Sequence, residues 1–374
     1  MHRRLAAFHT AIPASTRQQA RPEQTDHPAA RGSRAPSHEK AAGESLLPTG
    51  HARVRQVRGA QNAVRNALRT SVALLLAIGL ASSFLFARAE PEQPARDDDG
   101  FLEETGEYVY ENDEAGRWAY FTDRLQIEIT RYTDESVPLE WFETHIKLRD
   151  GEALTTVETN PDRPGKKFRY PFDIAADNHF VLGFTDDFYG HRLAQKEKVG
   201  VVIRNGAIVS KDTYRKQLHY LPNLDVLAQF PDRSLKAYRC AEITADELLE
   251  LGAVNVFCFG PALILDGEIN PLVLEKWFET KSPRQALGMI EPGHYLLLTV
   301  QGRMKTSAGV GLIYMAEAMK ERGVVEALNL DGGNTMALIF RGRMINRLAT
   351  WKNKKFVRTV SSLIGVGYSE YEVD

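Results

Sequence analysis

Hydrophobic and polar residues alternate along two stretches of the chain, a pattern typical of strands with one buried face. Residues 125–130 read LQIEIT and alternate throughout. In residues 141–148 the even-numbered positions carry F, T, I and L, which places them on one face. Further runs are almost continuously apolar and predict strands buried on both faces. These runs are residues 180–184, 199–203, 254–259, 295–300 and 363–366.

Turn and helix signals separate these strands. The pair Asn205-Gly206 lies between two apolar runs and predicts a β-hairpin. Thr244 and Glu247 have the spacing of a capping box and predict the start of a short helix. A longer helix is predicted before Gly323, because apolar residues recur there at helical spacing. They are Leu312, Met315, Ala316 and Met319.

This order of elements predicts an α+β fold, in which helices pack on a mixed β-sheet. We expect a single exported domain at residues 118–374. It would be preceded by a disordered tail and by one transmembrane or signal segment.

The N-terminal part of the chain has a different composition. Residues 1–66 are rich in Arg, Ala, Pro and Ser with little periodic apolar content, which predicts a disordered basic segment. Residues 67–89 contain the charge-free run 71–87, which is near the lower length limit of a membrane-spanning helix. We interpret it as a signal-anchor, or as a signal peptide cleaved after Ala89. Residues 90–117 are predicted to be an acidic linker that contains proline.

This interpretation places the domain outside the cytoplasm, either on a single-pass membrane anchor or secreted. Arg residues precede the apolar segment, which favours a cytoplasmic N-terminus. An exported protein can form disulfides, and Cys240 and Cys258 are compatible either with one disulfide or with two free buried thiols.

Composition excludes some classes of partner. The chain has 374 residues, 43% hydrophobic and 26% charged, with a net charge of −2. We therefore expect no nucleic-acid partner. The spacing of Cys and His does not indicate zinc, and the acidic residues 97–99 lack the pattern of a calcium loop. No cofactor is expected on these grounds, and the oligomeric state stays open.

Two stretches carry candidate chemistry. Asp331 follows an apolar strand-like run and is followed at once by Gly332-Gly333, where a ligand can approach the backbone closely. Asp187 follows the apolar run 180–184 and precedes a phenol, an imidazole and a guanidinium. In both cases a turn capped by an acidic side chain is the alternative interpretation.

Several separate motifs together resemble the phosphodiester glycosidase family, whose bacterial members are often labelled exopolysaccharide biosynthesis proteins. In chain order they are DFYG at 187–190, GVVIRNG at 200–206, FGPAL at 259–263, PR at 283–284, EPGHY at 291–295, NLDGG at 329–333 and RTVS at 358–361. The resemblance covers nearly all of the predicted domain. It implies hydrolysis of a sugar-1-phosphodiester at the bond between C1 of the sugar and the phosphate oxygen.

The resemblance also implies roles for particular residues. Asp331 and Asp187 would be the carboxylates, acting as nucleophile or base in an undecided order. Arg284 would bind the phosphate through two parallel hydrogen bonds. The implied substrate-binding residues are Tyr189, Arg192, Gly260, Gly332, Gly333, Asn334 and Thr335. The substrate would be a glycan phosphodiester of the cell envelope or outside the cell.

Polar positions depart from the family pattern while the apolar positions agree with it. The family usually has Asn-Gly at Thr185-Asp186, Thr at Gln285 and an acid at Ser362. Gly311 replaces a helix-starting Thr, and the Ser/Thr run after Gly333 is reduced to one hydroxyl. Such changes fit either an altered substrate or lost catalysis.

Two alternatives to the hydrolase therefore stay open. One is a non-catalytic relative that binds an anionic glycan or a partner protein. The other is a metal-assisted phosphoesterase, in which Asp186, Asp187 and Asp331 would bind Mg²⁺ or Ca²⁺.

Overall fold

The computed structural model describes residues 94–134, 136–211 and 224–372. The predicted tail at 1–66 and the predicted membrane or signal segment at 67–89 lie outside these residues. Within the described ranges, no helix has the length and apolar character needed to cross a membrane.

Strands dominate the described part of the chain and are numbered here in chain order. They are Tyr108–Asn112 (β1), Arg117–Phe121 (β2), Leu125–Asp134 (β3), Leu139–Leu148 (β4), Thr155–Glu158 (β5), Phe180–Phe184 (β6), Val201–Arg204 (β7), Ala207–Lys211 (β8), Asp225–Gln229 (β9), Leu235–Tyr238 (β10), Asn255–Phe259 (β11), Ala262–Leu265 (β12), Glu268–Ile269 (β13), Arg284–Glu291 (β14), His294–Val300 (β15), Glu326–Leu330 (β16), Leu338–Phe340 (β17), Arg343–Met344 (β18), Thr350–Trp351 (β19), Lys354–Lys355 (β20) and Ser362–Tyr368 (β21).

These strands form three main sheets. The largest has nine strands in the order β1-β2-β3-β4-β15-β14-β16-β12-β13. Two sheets have five strands each, in the orders β10-β9-β11-β7-β8 and β18-β17-β6-β21-β5, and β19 with β20 forms a separate hairpin. The alternating pattern of residues 141–148 is confirmed in β4, where the apolar positions are buried and the intervening ones are half-buried.

Helices are few and short in the described residues. The α-helices are Pro171–Asp177 (α1), Tyr189–Ala194 (α2), Ala245–Glu250 (α3) and Leu312–Glu321 (α4). Two 3₁₀ turns span Pro271–Leu274 and Lys276–Glu279. The capping box predicted at Thr244 and Glu247 is present at the start of α3, and α4 matches the predicted longer helix.

The prediction of an α+β fold with a mixed sheet is wrong. Every described strand pair is antiparallel, so the sheets are not mixed. A parallel pair needs a crossover of a dozen or more residues, usually helical. Here nine of the seventeen described pairs join consecutive strands, as at Asn205-Gly206 between β7 and β8, and the four α-helices in the described residues cover little of the sheets. The fold is therefore predominantly β.

Residues 90–117, which are predicted to be a linker, already contain ordered structure. The strand β1 lies within them. Phe101 and Leu102 are buried there as well.

All three main sheets contribute to one hydrophobic core. It contains Ile146 and Leu328 of the nine-stranded sheet, Phe257 of the second sheet, and Phe184 and Ile364 of the third. Because the sheets pack on common side chains, strand ends from different sheets lie close together. The ends of β16 and β6 meet in this way, and the candidate site lies there.

Candidate active site

Asp331 directly follows β16, a strand whose five residues are all buried. Its backbone N–H donates to the carbonyl oxygen of Asp186 at 3.1 Å. Asp186 in turn lies two residues beyond the end of β6, which is also fully buried. The two acidic stretches found in the sequence are therefore joined by a backbone hydrogen bond, although 144 positions separate Asp331 from Asp187 in the numbering of the chain.

The two glycines after Asp331 pack against the backbone just before Arg284. The Gly333 N–H donates to the carbonyl oxygen of Pro283 at 3.0 Å. A Cβ atom on Gly332 would lie 2.4 Å from the same oxygen, a separation that real Cβ atoms do not adopt. Gly333 has a φ of +64°, which favours glycine. This turn therefore requires glycine and places Asp331 beside the start of β14.

One oxygen of the Asp331 carboxylate is left unused by the hydrogen bonds of the described residues. This Oδ2 atom is buried and has no hydrogen-bond partner among the described residues, and the same is true of the Thr335 hydroxyl. Burial raises the pKa of Asp331 to about 6, while the nearby Thr335 hydroxyl, Arg358 and Arg192 act to lower it. A buried polar atom without a partner is rare and often marks a ligand site.

Four arginines act electrostatically on Asp331. Arg192 and Arg358 lower its pKa, and Asp331 in turn raises the pKa of Arg284 and of Arg303. Burial and the charge of Arg303 nevertheless lower the pKa of Arg284 to about 10. The pKa of Arg303 is likewise lowered, by burial and by Arg358. Clustered cations that disfavour each other's charge form a site to which an anion can bind.

Arg192 is the most deeply placed of the four and is fully buried. Its Nη2 atom donates to the carbonyl oxygen of Cys258 at 2.7 Å. Its Nε and Nη1 atoms are also buried and have no partner among the described residues. Arg284 instead donates to the carbonyl oxygens of Thr280 at 3.1 Å and Val310 at 3.4 Å. Arg192 therefore retains two donors for a ligand.

Asp187, the other predicted carboxylate, has both oxygen atoms engaged. Its Oδ1 accepts from Arg204 Nη2 at 2.7 Å, and its Oδ2 accepts from the Cys258 N–H at 2.7 Å. The residue has no exposed surface. The structure thus brings Asp187 near Asp331 but places it beneath the site. There it accepts from the N–H of Cys258, the residue whose carbonyl oxygen accepts from Arg192.

Asp186 belongs to the same buried cluster. It accepts a hydrogen bond from the Ser362 hydroxyl and lies 3.5 Å from Arg204 Nη2. Burial and the charge of Asp187 raise the pKa of Asp186 to about 7. Glu158 also lies against Arg204, with 3.9 Å between Glu158 Oε1 and Arg204 Nε. One guanidinium therefore lies against three carboxyl groups.

The positions that depart from the family pattern bind one another in two pairs. Ser362 donates to Asp186, as described above. Thr185 donates to Gln285 Oε1 at 2.7 Å, and Gln285 Nε2 donates to Thr299 and to the Ala337 carbonyl oxygen. The changes at Thr185, Asp186, Gln285 and Ser362 therefore satisfy one another.

Tyr189 and Gly260 do not line the Asp331 surface. Tyr189 is fully buried, and the Arg204 guanidinium lies 5.0 Å from the centre of its ring. Gly260 donates its N–H to the Asn329 carbonyl oxygen at 3.0 Å and accepts from Asn329 Nδ2 at 3.0 Å. Both residues support the strands that lead to the site.

Asn334 connects the site to the hairpin that follows it. Its Oδ1 accepts from Arg303 Nη1 at 3.0 Å. Its Nδ2 donates to the carbonyl oxygens of Ala349 at 2.7 Å and Phe356 at 3.1 Å, on either side of β19 and β20. Asn334 is thus a structural link rather than a free donor.

Sequence reasoning missed the aromatic residues Phe188 and Phe259, and the arginines Arg303 and Arg358. Phe188 has a φ of +62°, uncommon for a bulky residue, and its ring lies 5.8 Å from the Arg358 guanidinium. The Arg192 guanidinium lies 5.9 Å from the centre of the Phe259 ring. Phe188, Phe259 and Arg358 all occur in the family motifs, so those motifs were an available signal. No motif contained Arg303.

The geometry bears on the metal-assisted phosphoesterase and on the disulfide between Cys240 and Cys258. The described residues contain no group of three or more His, Cys, Asp or Glu side chains arranged to bind a metal ion, and Asp186 and Asp187 both face Arg204. Cys258 is a buried free thiol in this structure, so it forms no disulfide with Cys240 here.

Comparisons with known proteins identify a family and a similar fold. A sequence model of the family described as Phosphodiester glycosidase matches residues 178–367. The SPbeta prophage-derived uncharacterized protein YomE of Bacillus subtilis (strain 168) is 30% identical over 256 residues, which is 64% of this chain and 38% of that protein. The chain thus spans well under half the length of this relative.

Among solved structures, the chain is similar to the catalytic domain of zebrafish N-acetylglucosamine-1-phosphodiester alpha-N-acetylglucosaminidase, auto-inhibited by its pro-peptide. The TM-score is 0.51 at 15% identity, and the match covers 75% of this chain and 87% of that domain. At this identity the likeness shows a common fold.

Proposed function

The chain belongs to the phosphodiester glycosidase family, and we propose that it hydrolyses sugar-1-phosphodiesters at the bond between C1 and the phosphate oxygen. Members of this family are glycosidase-type hydrolases. The proposal concerns this chain's own activity and its substrate.

The observation that carries the proposal is the environment of Asp331. Asp331 is half-buried, and its buried Oδ2 atom has no hydrogen-bond partner among the described residues. It interacts electrostatically with four arginines, of which Arg192 has two buried nitrogen atoms without a partner. A sugar-1-phosphodiester carries an anion next to a carbon that becomes positively charged during cleavage. A site for it needs cations for the phosphate and one free carboxylate for the sugar, and this cluster supplies both.

The reaction follows from these charges. As the C1–O bond breaks, its electron pair stays on the phosphate oxygen, and the sugar becomes an oxocarbenium-like cation. Asp331 would stabilise that cation, either by bonding to C1 or by taking a proton from the attacking water. Water finally supplies a hydroxyl group to C1. The arginines would bind the departing phosphate monoester, which is a stable anion and has little need of a proton from an acid.

Asp187 would act as a positioning residue in this scheme. It binds the N–H of Cys258, and Arg192 binds the carbonyl oxygen of the same residue. With both oxygens engaged and no exposed surface, Asp187 has no free lone pair to offer a substrate. Asp331 would therefore be the carboxylate that reacts.

The hydrogen bonds between residues that differ from the family pattern favour an active hydrolase over a relative that binds its ligand without cleaving it. Had the polar lining decayed after loss of activity, unpartnered atoms would be expected at the changed positions. Instead Thr185 binds Gln285, and Ser362 binds Asp186. We further propose an extracytoplasmic site of action, on the basis of the charge-free segment 71–87.

The direct test is incubation of the purified protein with a panel of sugar-1-phosphodiesters that differ in sugar and in aglycone. We expect release of free sugar and a phosphate monoester by the wild type and not by Asp331→Asn. Release of a sugar-1-phosphate would show cleavage on the other side of the phosphorus and would contradict the proposal. Binding without release would favour the non-catalytic relative.

A further inference from the structure

A second cationic surface lies next to the Asp331 site. It is a groove of about 970 Å³ between residues 303–306 and residues 346–355, called here the basic groove. Its lining includes Arg303, Lys305, Arg347 and Lys355, and contains no acidic side chain. A groove of this volume is at the upper end of the range for small-molecule sites.

We propose that the basic groove binds a second phosphate group of the substrate, so that the substrate is a chain of sugar units joined by phosphodiesters. This inference builds on the proposed function and names its substrate class. The occupant would extend from the scissile phosphate at the Asp331 site, through Arg303, into the groove.

The charges of the groove are largely unneutralised. Arg347 is bound to Glu140 and to the Thr306 hydroxyl. Among the described residues, Lys305 and Lys355 have no carboxylate within ion-pair distance, and Arg303 donates only to neutral oxygens, those of Asn334 and Ser282. Like charges held together without counter-charges repel each other, which favours an anionic ligand.

The sequence that builds one wall is uniformly cationic. Residues 346–355 contain four Arg and Lys and no Asp or Glu, although acidic residues slightly outnumber basic ones over the whole chain. Within this stretch, the hairpin of β19 and β20 adds Lys352 and Lys354 beside Lys355, and all three are exposed.

Arg303 connects the groove to the site. It lines the groove, and it lies close enough to Asp331 for that carboxylate to raise its pKa. Asn334, three residues after Asp331, binds Arg303 and both ends of the hairpin. A Cβ atom on Gly333 would lie 3.2 Å from Arg303 Nη1, so Arg303 borders both the groove and the turn that carries Asp331.

An exposed aromatic ring lies on the same hairpin. Trp351 is 46% exposed, and the Arg303 guanidinium lies 4.9 Å from the centre of its ring. Stacking orients the guanidinium and leaves a ring face to solvent. An indole face beside phosphate-binding cations suits a ligand in which sugar rings alternate with phosphates better than one made of phosphates alone.

The first arm of the test measures binding and needs no turnover. Asp331→Asn protein is titrated with two probes, N-acetylglucosamine-1-phosphate esterified to glycerol, and a trimer of N-acetylglucosamine units joined by phosphodiesters. We expect the trimer to bind at least about tenfold more tightly, with a steeper dependence on salt. Adding Lys305→Gln and Lys355→Gln should abolish this advantage. The matched control is Lys211→Gln with Lys320→Gln, which removes the same charge from lysines paired with Asp246 and Glu268.

The second arm measures hydrolysis by the wild type. The Lys305→Gln, Lys355→Gln variant should have a KM for the trimer that is raised about tenfold with little change in kcat. Its hydrolysis of the single-phosphate probe should change less than about twofold. Equal binding of both probes in the first arm would overturn the inference. So would an oligonucleotide of equal charge that competes as well as the trimer. Failure of the proposed function alone would appear as trimer binding that depends on the lysines, without hydrolysis of either probe.

Discussion

The carboxylate of Asp187 binds the guanidinium of Arg204 in the core, with 2.7 Å between Asp187 Oδ1 and Arg204 Nη2. Neither side chain has appreciable exposed surface. This ion pair lies directly beneath the residues that would bind substrate. It distinguishes two acids that look equivalent in the sequence. Both carboxylate oxygens of Asp187 accept hydrogen bonds, whereas Oδ2 of Asp331 has no partner among the described residues.

Replacement of Asp187 should therefore affect stability first. In Asp187→Asn, the amide group cannot accept from both Arg204 and Cys258, so one buried donor loses its partner. We expect a loss of about 1–3 kcal/mol in the free energy of unfolding, measured by denaturant titration. The pKa of Asp186 should also fall, because the charge of Asp187 raises it. An Asp187→Asn protein as stable as the wild type would contradict the structural role.

Replacement of Asp331 should affect turnover without this loss of stability. Asp331→Asn removes the reacting carboxylate, and we expect kcat to fall on the order of 10³-fold. The side chain makes no hydrogen bond through Oδ2 and its charged form is disfavoured by burial, so the variant should unfold at the same denaturant concentration or a higher one. Retention of full activity would remove Asp331 from the mechanism.

The pH dependence provides an independent check on Asp331. Its pKa is raised from 3.8 to about 6, and the reaction requires the ionised form. The ratio kcat/KM should rise with pH through about 6, with the slope expected for the loss of one proton. A limb that falls over the same range would indicate an acid instead of a nucleophile or base.

The contribution of Asp331 to the stability of the wild type should fall over the pH range in which kcat/KM rises. Because the folded-state pKa exceeds the unfolded value, Asp331 contributes stability below pH 3.8 that is lost as the pH rises through about 6. The stability of Asp331→Asn relative to wild type should therefore increase over that interval. Denaturant titrations of both proteins at pH 4 and pH 7 would measure the difference.

The two buried arginines should respond differently to the same substitution. Arg192→Met removes a buried cation with two unpartnered nitrogen atoms, so we expect kcat/KM to fall by about 10²-fold or more. The Cys258 carbonyl oxygen loses its donor, so the free energy of unfolding should fall by about 1 kcal/mol. Arg204→Met is the matched control. It leaves Asp186, Asp187 and Glu158 without their cation and should destabilise the fold by about 3–5 kcal/mol. Equal destabilisation by both substitutions would show that Arg192 is structural.

Local sequence patterns were sufficient for the elements and insufficient for their arrangement. Alternation identified β3 and β4, and the capping box identified α3, because these patterns depend on neighbours within a few residues. Whether strands pair in parallel or antiparallel depends on the path of the chain between them. The α+β expectation failed for that reason.

The site was predictable where the backbone itself is constrained. Asp331 was found through Gly332-Gly333, and the close approach of Gly332 to Pro283 explains why glycine is required. The difference between Asp331 and Asp187 could not be predicted, since it depends on Arg204, which the chain brings to Asp187 from β7. Arg303 could not be found either, because its contact with Asn334 joins segments 31 residues apart.

The shared core of the three sheets has a consequence for expression of shorter fragments. The family match begins at residue 178, beyond β4 and β5. Yet β4 pairs with β15 along all seven residues of β15, and β5 pairs with β21 along four. A clone that starts at the match would leave two long hydrophobic strands with open edges, which are templates for aggregation. Soluble material for crystallisation should therefore retain the residues from β1 onward.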